Sequence, residues 1–404
     1  MKCRFCGNNL YYEFIDLINS PPSNSYLSFE QLNESEIFYP LKLFVCDKCF
    51  LVQIDEYKKN IDIFNNDYAY FSSFSTIWTE HAKNYVEMIT DRLQLNKNSL
   101  VIEIACNDGY LLQYFKQKKI PCIGIEPTQN TAAIAIGKGI NVIEDFFTEK
   151  LAADMPKADL IIGNNVLAHV PNIIDFVKGL KKMLKPNGVM TIEFPHLLNL
   201  IKQGEFDTIY HEHFSYLSLF STIQIFQAHN LNLFDVEELT THGGSLRIYA
   251  THLESSNKKS ENIDKVLKKE LDANLNRLEG YKNFQAKVDK IKYDLLTFLL
   301  KTKKQGNKVA AYGAAAKGNT LLNYCGVKKD LISFIVDKNP YKQNKFLPGS
   351  HIPIVSEDVL IKEKPEFIII IPWNIKDEIL NQLAYARKWN SKFITVIPKF
   401  AIQI

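Results

Sequence analysis

The stretch Ser99-Leu-Val-Ile-Glu-Ile-Ala runs straight into Cys106-Asn-Asp-Gly109 and then into a helix-forming run, Tyr110–Gln117. No other feature constrains the fold of this chain as strongly. An apolar run bounded by a polar turn reads as a buried strand. A buried strand, a tight polar turn with glycine and then a helix make the first unit of a Rossmann-like α/β fold. The amides that open such a helix suit a nucleotide or a carboxylate.

The following residues continue the pattern. A second strand, Pro121–Ile125, ends at Glu126, placed to accept hydrogen bonds from ribose hydroxyls. Ile140–Ile143 precedes Asp145-Phe146, where an adenine would lie against the phenyl ring with its amino group on the aspartate. Ala158–Ile162 is a fourth strand and ends in Gly163-Asn-Asn-Val-Leu-Ala-His169. A helix Ile173–Leu184 runs to Pro186-Asn-Gly188, and Val189–Glu193 is a fifth strand. Singly, Asp108 and Glu126 read equally well as helix and strand caps. As an ordered set, Glu103, Asn107, Asp108, Gly109, Glu126, Asp145, Phe146, Asn164 and Asn165 resemble the donor site of class I methyltransferases that use S-adenosylmethionine. The G-x-G-x-x-G of a nicotinamide dehydrogenase is missing. His169 follows the fourth strand at the carboxyl edge, where α/β sheets hold their ligands, and is expected to face the methyl acceptor.

Ahead of this fold stand Cys3-Arg-Phe-Cys6 and Cys46-Asp-Lys-Cys49, two Cys-x-x-Cys knuckles of a zinc ribbon. Two intervening residues let both sulfurs of a knuckle reach one tetrahedral ion. Four thiolates leave no open position, so the metal is expected to be structural. Seven cysteines, four of them so arranged, argue against a disulfide scaffold. Pro40–Cys46 and Phe50–Ile54 read as strands of a hairpin between and after the knuckles. Tyr68-Ala-Tyr70 opens an aromatic linker that either packs on the next domain or walls a polar pocket. A helix Trp78–Leu93 follows it.

Beyond the fifth strand lies Thr208–Ser218, Thr-Ile-Tyr-His-Glu-His-Phe-Ser-Tyr-Leu-Ser. The chain has 9 histidines, and two of them sit here around one glutamate. Such side chains move protons near neutral pH, although a self-satisfied polar cluster fits the composition equally well. Thr241–Tyr249 joins a glycine pair to Ser245 and Arg247, which suits a phosphate or, more plainly, a β-turn with a surface arginine. Asn257–Lys304 has the period of two amphipathic helices with a solvated basic face. Lys308–Gly313 begins a second βαβ set. Its turn Tyr312-Gly-Ala-Ala-Ala-Lys317-Gly-Asn319 would cradle a pyrophosphate, with Lys317 as counter-charge. Asp337 ends the next strand as Glu126 does in the first set, and Trp373 is placed to lie near a base or sugar.

A chain of 404 residues exceeds one core, and the pattern divides it as zinc-binding 1–74, methyl-donor-binding 75–198 and a C-terminal half 199–404. A net charge of +3 gives no reason to expect nucleic acid or an acidic membrane. The N-terminus has no signal-peptide core and no run is long enough to span a bilayer, so a cytoplasmic protein is expected.

Together the zinc ribbon, Glu-Ile-Ala-Cys-Asn-Asp-Gly-Tyr-Leu-Leu, Asn-Asn-Val-Leu-Ala-His-Val, Tyr-His-Glu-His-Phe-Ser-Tyr, Gly-Gly-Ser-Leu-Arg and Tyr-Gly-Ala-Ala-Ala-Lys-Gly-Asn-Thr resemble the sugar C-methyltransferase family. Its best-known type comprises the TDP-sugar 3-C-methyltransferases that act on 4-keto-deoxysugars. The resemblance covers nearly the whole chain. It implies a structural zinc, S-adenosylmethionine as donor and a nucleotide-linked 4-keto sugar as acceptor; separately, a monomer or weak dimer is expected. It further implies His213 as base, with Glu212, His169 and Tyr70 (or Tyr68) lining the sugar pocket. Glu212 would orient the ring of His213 or raise its basicity, while Tyr70, Tyr210 or His169 would donate to the developing oxyanion; His211 has no assigned part. Tyr312, Gly313, Lys317, Asn319, Asp337, Trp373, Ser245 and Arg247 would contact the nucleotide sugar. Two other readings stand beside this one: a nicotinamide-dependent nucleotide-sugar oxidoreductase or epimerase, and a zinc-ribbon nucleic-acid binder.

Overall fold

The computed structural model describes residues 1–64 and 70–403, so Tyr68 lies outside the described residues. The N-terminal unit is antiparallel: β1 (Tyr12–Ser20) pairs with β2 (Tyr39–Val45), and β2 with β3 (Val52–Ile54). A helix Thr76–Leu93 then leads into the second unit, with the Ser75 side chain accepting from the Trp78 amide as N-cap.

That unit runs through β4 (Val101–Ile104), β5 (Cys122–Ile125), β6 (Asn141–Ile143), β7 (Ala158–Asn164) and β8 (Leu184–Pro195), all mutually parallel. The helix before β8 stops at Met183 and the strand starts at once, taking in the Pro186-Asn-Gly188 segment expected to be a turn. Pro186 has no amide to continue a helix and forces the residue before it into extended backbone. A short strand, β9 (Ser215–Tyr216), pairs with β3, which stitches the His-Glu-His segment to the zinc-binding unit.

β10 (Leu231–Leu239) and β11 (Ser245–His252) then complete the seven-stranded sheet, in the order β10-β11-β8-β7-β4-β5-β6. Within it β11 alone is reversed, antiparallel to both β8 and β10. This is the open, doubly wound sheet of a class I methyltransferase. It extends well past residue 198, where the sequence suggests a division. One face packs Tyr85, Val86 and Ile89 of the helix Thr76–Leu93 against Leu111 and Phe115. The other packs Phe176, Leu180 and Met183 against Ile225, Phe226 and Val266.

The lysine-rich stretch forms two helices, Glu261–Asp272 and Phe284–Lys304. Glu270 is fully buried and accepts from the amides of Leu219 (2.6 Å) and Phe220 (2.8 Å), satisfying the start of the helix Leu219–Gln227, with His196 at 2.7 Å. The longer helix packs on the zinc-binding unit, where Phe14 stacks on Phe284 at 4.8 Å.

The last unit is a second parallel sheet. Its strands are β12 (Val309–Tyr312), β13 (Ile335–Val336), β14 (Ile354–Val355), β15 (Phe367–Ile370), β16 (Lys392–Thr395) and β17 (Ala401–Gln403), ordered β14-β13-β12-β15-β16-β17. Only β17 is antiparallel. This is the second Rossmann-like half. No described helix is long and apolar enough to cross a membrane.

Candidate active site

The four cysteine sulfurs of the N-terminal unit lie within 4.8 Å of one another, with Cys3 to Cys49 and Cys6 to Cys46 each at 3.5 Å. Tetrahedral zinc, with Zn–S near 2.3 Å, needs sulfurs roughly 3.8 Å apart, so the set fits a closed structural site. A left-handed residue closes each knuckle, Gly7 (φ 72°) and Phe50 (φ 60°). Gln53 donates to the Cys3 sulfur (3.2 Å) and the Lys48 amide to that of Cys46 (3.4 Å), which supports thiolate charge.

The residues expected to hold the methyl donor gather at the carboxyl ends of β4, β5 and β7. Ala105 (φ 57°), Asn107 (φ 50°) and Asn165 (φ 54°) all take left-handed backbone there, a conformation that asparagine tolerates and that is costlier at Ala105. Buried acceptor oxygens without a partner cluster at the same edge: both of Glu103, Oδ1 of Asp108, and Oδ1 of Asn164 and Asn165. A ligand carrying an ammonium, a sulfonium and hydroxyl donors matches that set. Burial holds the Glu103 carboxyl well above the carboxylate range. Glu126 ends β5 as expected and already accepts from the Asn107 amide (2.9 Å) and the Thr128 amide (3.0 Å). Gly109 (φ 72°) is obligatory, since a Cβ there would stand 2.4 Å from Ile140 Cδ1. Asp145 and Phe146 follow β6; Asp145 is exposed and Phe146 half-buried.

The linker expected to pack on the next domain or to wall a pocket does lie on the donor turn, although the sequence does not single out the residues that make the bonds. The Ser72 amide donates to Asn107 Oδ1 (2.9 Å), the Ser73 amide and hydroxyl donate to Asp108 Oδ2, and Asn107 Nδ2 donates to the Tyr70 carbonyl (3.1 Å). The aromatic linker therefore lies on the donor turn, with Phe71 stacked on Tyr341 of the C-terminal half at 5.3 Å. Tyr70 as a residue is half exposed, yet its phenol is desolvated and within electrostatic reach of Asp108, Lys342 and Tyr210, between the donor turn and the His213 cluster.

His213 is buried, and its Nδ1–H donates to the Thr208 carbonyl at 2.9 Å. That bond fixes the tautomer and leaves Nε2 as the acceptor. Burial, and then His169, hold its pKa well below 6.5, so the ring is neutral. The expectation that Glu212 orients this ring is corrected here: the orienting group is a backbone carbonyl. Glu212 instead accepts from Asn24 Nδ2 of the zinc-binding unit at 2.7 Å, and burial raises its carboxyl to about 7. The rings of Tyr210 and His169 stand 4.1 Å and 4.6 Å from that of His213. Burial keeps the Tyr210 phenol protonated, with its pKa well above 10. Burial lowers His169 to about 4, and its Nδ1 is buried without a partner. His211 faces away, its Nε2–H on the Pro40 carbonyl at 3.2 Å and its ring between those of Tyr39 and Tyr57.

Most of the residues expected to hold the nucleotide sugar serve the fold instead. Arg247 is 4% exposed and bonds Glu193 and Glu237 at 3.0 Å each, over the Tyr85 ring. A guanidinium so paired has no charge left for a phosphate. Ser245 Oγ donates to the Thr241 carbonyl. Asp337 accepts the amides of Ala314 (2.7 Å) and Asn339 (2.8 Å). Asn319 donates to the Ser23 carbonyl, and Tyr312 is buried with its hydroxyl on Gln382. Gly313 (φ 91°) lets the turn pass Pro372, which a Cβ would meet at 2.4 Å.

Lys317 does reach the cleft. Its ammonium donates to Asn374 Oδ1 (2.8 Å) and sits 4.8 Å over the Trp373 ring, with burial lowering its pKa. Trp373 donates to Asp207 Oδ2 at 2.8 Å and lines a hollow of about 350 Å³ with Gln203, Gly243 and Asn374. His242, left-handed at φ 54°, meets Asn165 at 3.1 Å. Lys342, at the cleft wall, donates to the Ala314 carbonyl at 2.9 Å.

Comparison with known proteins gives three consecutive matches along the chain. Residues 3–64 match the profile of a zinc-binding domain, 78–236 that of a methyltransferase domain, and 240–398 that of a C-methyltransferase C-terminal domain. C-methyltransferase NovU of Streptomyces niveus is 30% identical over 402 residues, covering 98% of this chain and 96% of its own. A ubiquinone biosynthesis O-methyltransferase of Actinobacillus pleuropneumoniae is 28% identical over 114 residues, 25% of this chain and 49% of its own. Among solved structures, magnesium protoporphyrin IX methyltransferase of Synechocystis is similar over 44% of this chain and 81% of its own, at 14% identity and a TM-score of 0.34.

Proposed function

Since the chain belongs to the S-adenosylmethionine-dependent C-methyltransferases that carry an N-terminal zinc-binding domain, we propose that it methylates C-3 of a nucleotide-linked 4-keto-deoxysugar through an enolate. The observation that carries this reading is the state of His213: neutral, fixed by the Thr208 carbonyl, with Nε2 left as acceptor and the Tyr210 ring 4.1 Å from its own. A sugar C–H is not a nucleophile, but a ketone at C-4 acidifies the proton at C-3. His213 Nε2 takes that proton, and the electron pair of the C–H bond passes into the enolate. Tyr210, protonated and without a protein partner for its hydroxyl among the described residues, donates to the oxygen at C-4 as charge develops there, an interaction worth about 3 kcal/mol when preorganised. Glu212 hydrogen-bonds the sugar beside the base, and Lys317 places its charge toward the diphosphate.

S-adenosylmethionine, held by Glu103, Asn107, Asp108, Gly109, Glu126 and the Asn164–Asn165 turn, with Asp145 and Phe146 at the adenine, supplies the electrophilic methyl. The Ser72–Ser73 cap bonds directly to the turn that would hold it. The test is a screen of 4-keto nucleotide sugars for incorporation of labelled methyl from S-adenosylmethionine into carbon. Transfer to one of them, stable to conditions that cleave methyl ethers, is the expected result. Transfer to oxygen alone, or to none of the set, contradicts the reading.

A further inference from the structure

We propose that Asn24 is a positioning residue of the methyl-transfer centre, so that the zinc-binding domain supplies part of the active site. The proposal rests on the reading of Glu212 as part of the acceptor pocket. The Asn24 amide donates to Glu212 Oε1 at 2.7 Å, and among the described residues it is the one side chain that hydrogen-bonds this carboxyl. Asn24 lies in the connection between β1 and β2, the two long strands of the unit that the four cysteines hold together.

That connection is pinned where it enters the cleft. Leu27 and Phe346 exchange both backbone bonds, at 2.9 Å and 2.8 Å. Tyr26 donates to the Ala314 carbonyl at 2.7 Å, and the Ser23 carbonyl accepts from Asn319. Three anchors on the C-terminal half therefore fix Asn24 against a segment nearly two hundred positions further along the chain. A zinc site that served only to complete a small fold would need none of them.

The groups that face Glu212 are Asn24 and Tyr26 from this connection, Lys58 further along the same unit, Tyr210 from its own segment, and His169, whose ring meets the Glu212 backbone. Burial raises the carboxyl, and the Asn24 amide pulls it back down by bonding the ionised form. Removing that donor leaves Glu212 protonated to higher pH. In Asn24→Asp, of the same size, a carboxylate replaces the donor and raises it further.

The experiment titrates the Glu212 carboxyl by infrared difference spectroscopy against Glu212→Gln, in the full zinc-loaded chain. It compares wild type, Asn24→Ala and Asn24→Asp, and follows the pH dependence of methyl transfer alongside. The expected midpoint rises by about one pH unit in Asn24→Ala, a hydrogen bond's worth, and by more in Asn24→Asp, with S-adenosylmethionine affinity unchanged. The isosteric Asn24→Asp carries the test if Asn24→Ala does not fold. An unmoved midpoint in a folded variant overturns the proposal. A midpoint that moves while Glu212→Gln still transfers methyl at the wild-type rate overturns the role of Glu212 and leaves the Asn24 contact standing.

Discussion

His213 owes its reactive nitrogen to a carbonyl five residues earlier, not to the carboxylate next to it. Replacing it with alanine removes the base and leaves the donor turn untouched, so methyl transfer should fall by about 10²–10⁴-fold with S-adenosylmethionine binding intact, read by single-turnover kinetics and calorimetry. Tyr210→Phe should lower kcat by about 10²–10³-fold with little change in donor affinity, since it deletes a hydroxyl aimed at developing charge. A third prediction concerns Glu205, which is buried, with Oε1 unpartnered, and lifted to about 8 by burial and then by Asp207. Its folded pKa is above its ordinary 4.5, so the stability it contributes is complete below pH 4.5 and is lost as pH rises through 8. Over that window wild type should lose roughly 1.4 kcal/mol per pH unit relative to Glu205→Gln, seen in paired denaturation curves. The buried histidines, with lowered pKa values, destabilise both proteins equally as pH falls below 6.5 and cancel in the comparison.

At the level of elements, the donor turn was legible because its chemistry is local: strand, Asn-Asp-Gly and helix are contiguous, and the acids end successive strands. Gly109→Ala forces a Cβ against Ile140 and a left-handed φ on alanine, and should weaken donor binding far more than acceptor binding in isothermal titration. The knuckles were legible for the same reason, since spacing alone sets their reach. A strong chelator, or Cys46→Ser, should lower both the melting temperature and methyl transfer. Arg247 was misread because a glycine pair before an arginine looks alike whether the arginine is free or salt-bridged. Its partners Glu193 and Glu237 come from two other strands, and no local pattern foretells them. Asn24 was invisible for the same reason, a polar residue in a loop whose importance lies in what it meets across the fold.

Over the whole molecule the units interleave more than a linear division suggests. β9 joins the zinc-binding sheet, β10 and β11 return to the methyl-donor sheet, and the cleft is closed by turns from all three units. Order along the chain shows which units exist. It does not show which strand goes back to which sheet, because pairing over such separations is decided by packing. The central claim is that this cleft makes a sugar carbon nucleophilic before any methyl moves. The most direct test is deuterium exchange at C-3 of a 4-keto nucleotide sugar in heavy water without methyl donor, followed by mass spectrometry. Wild type should exchange that proton and His213→Ala should not; exchange at equal rates in both would contradict the assignment of the base, and none in wild type, with a sugar it methylates, would contradict the enolate.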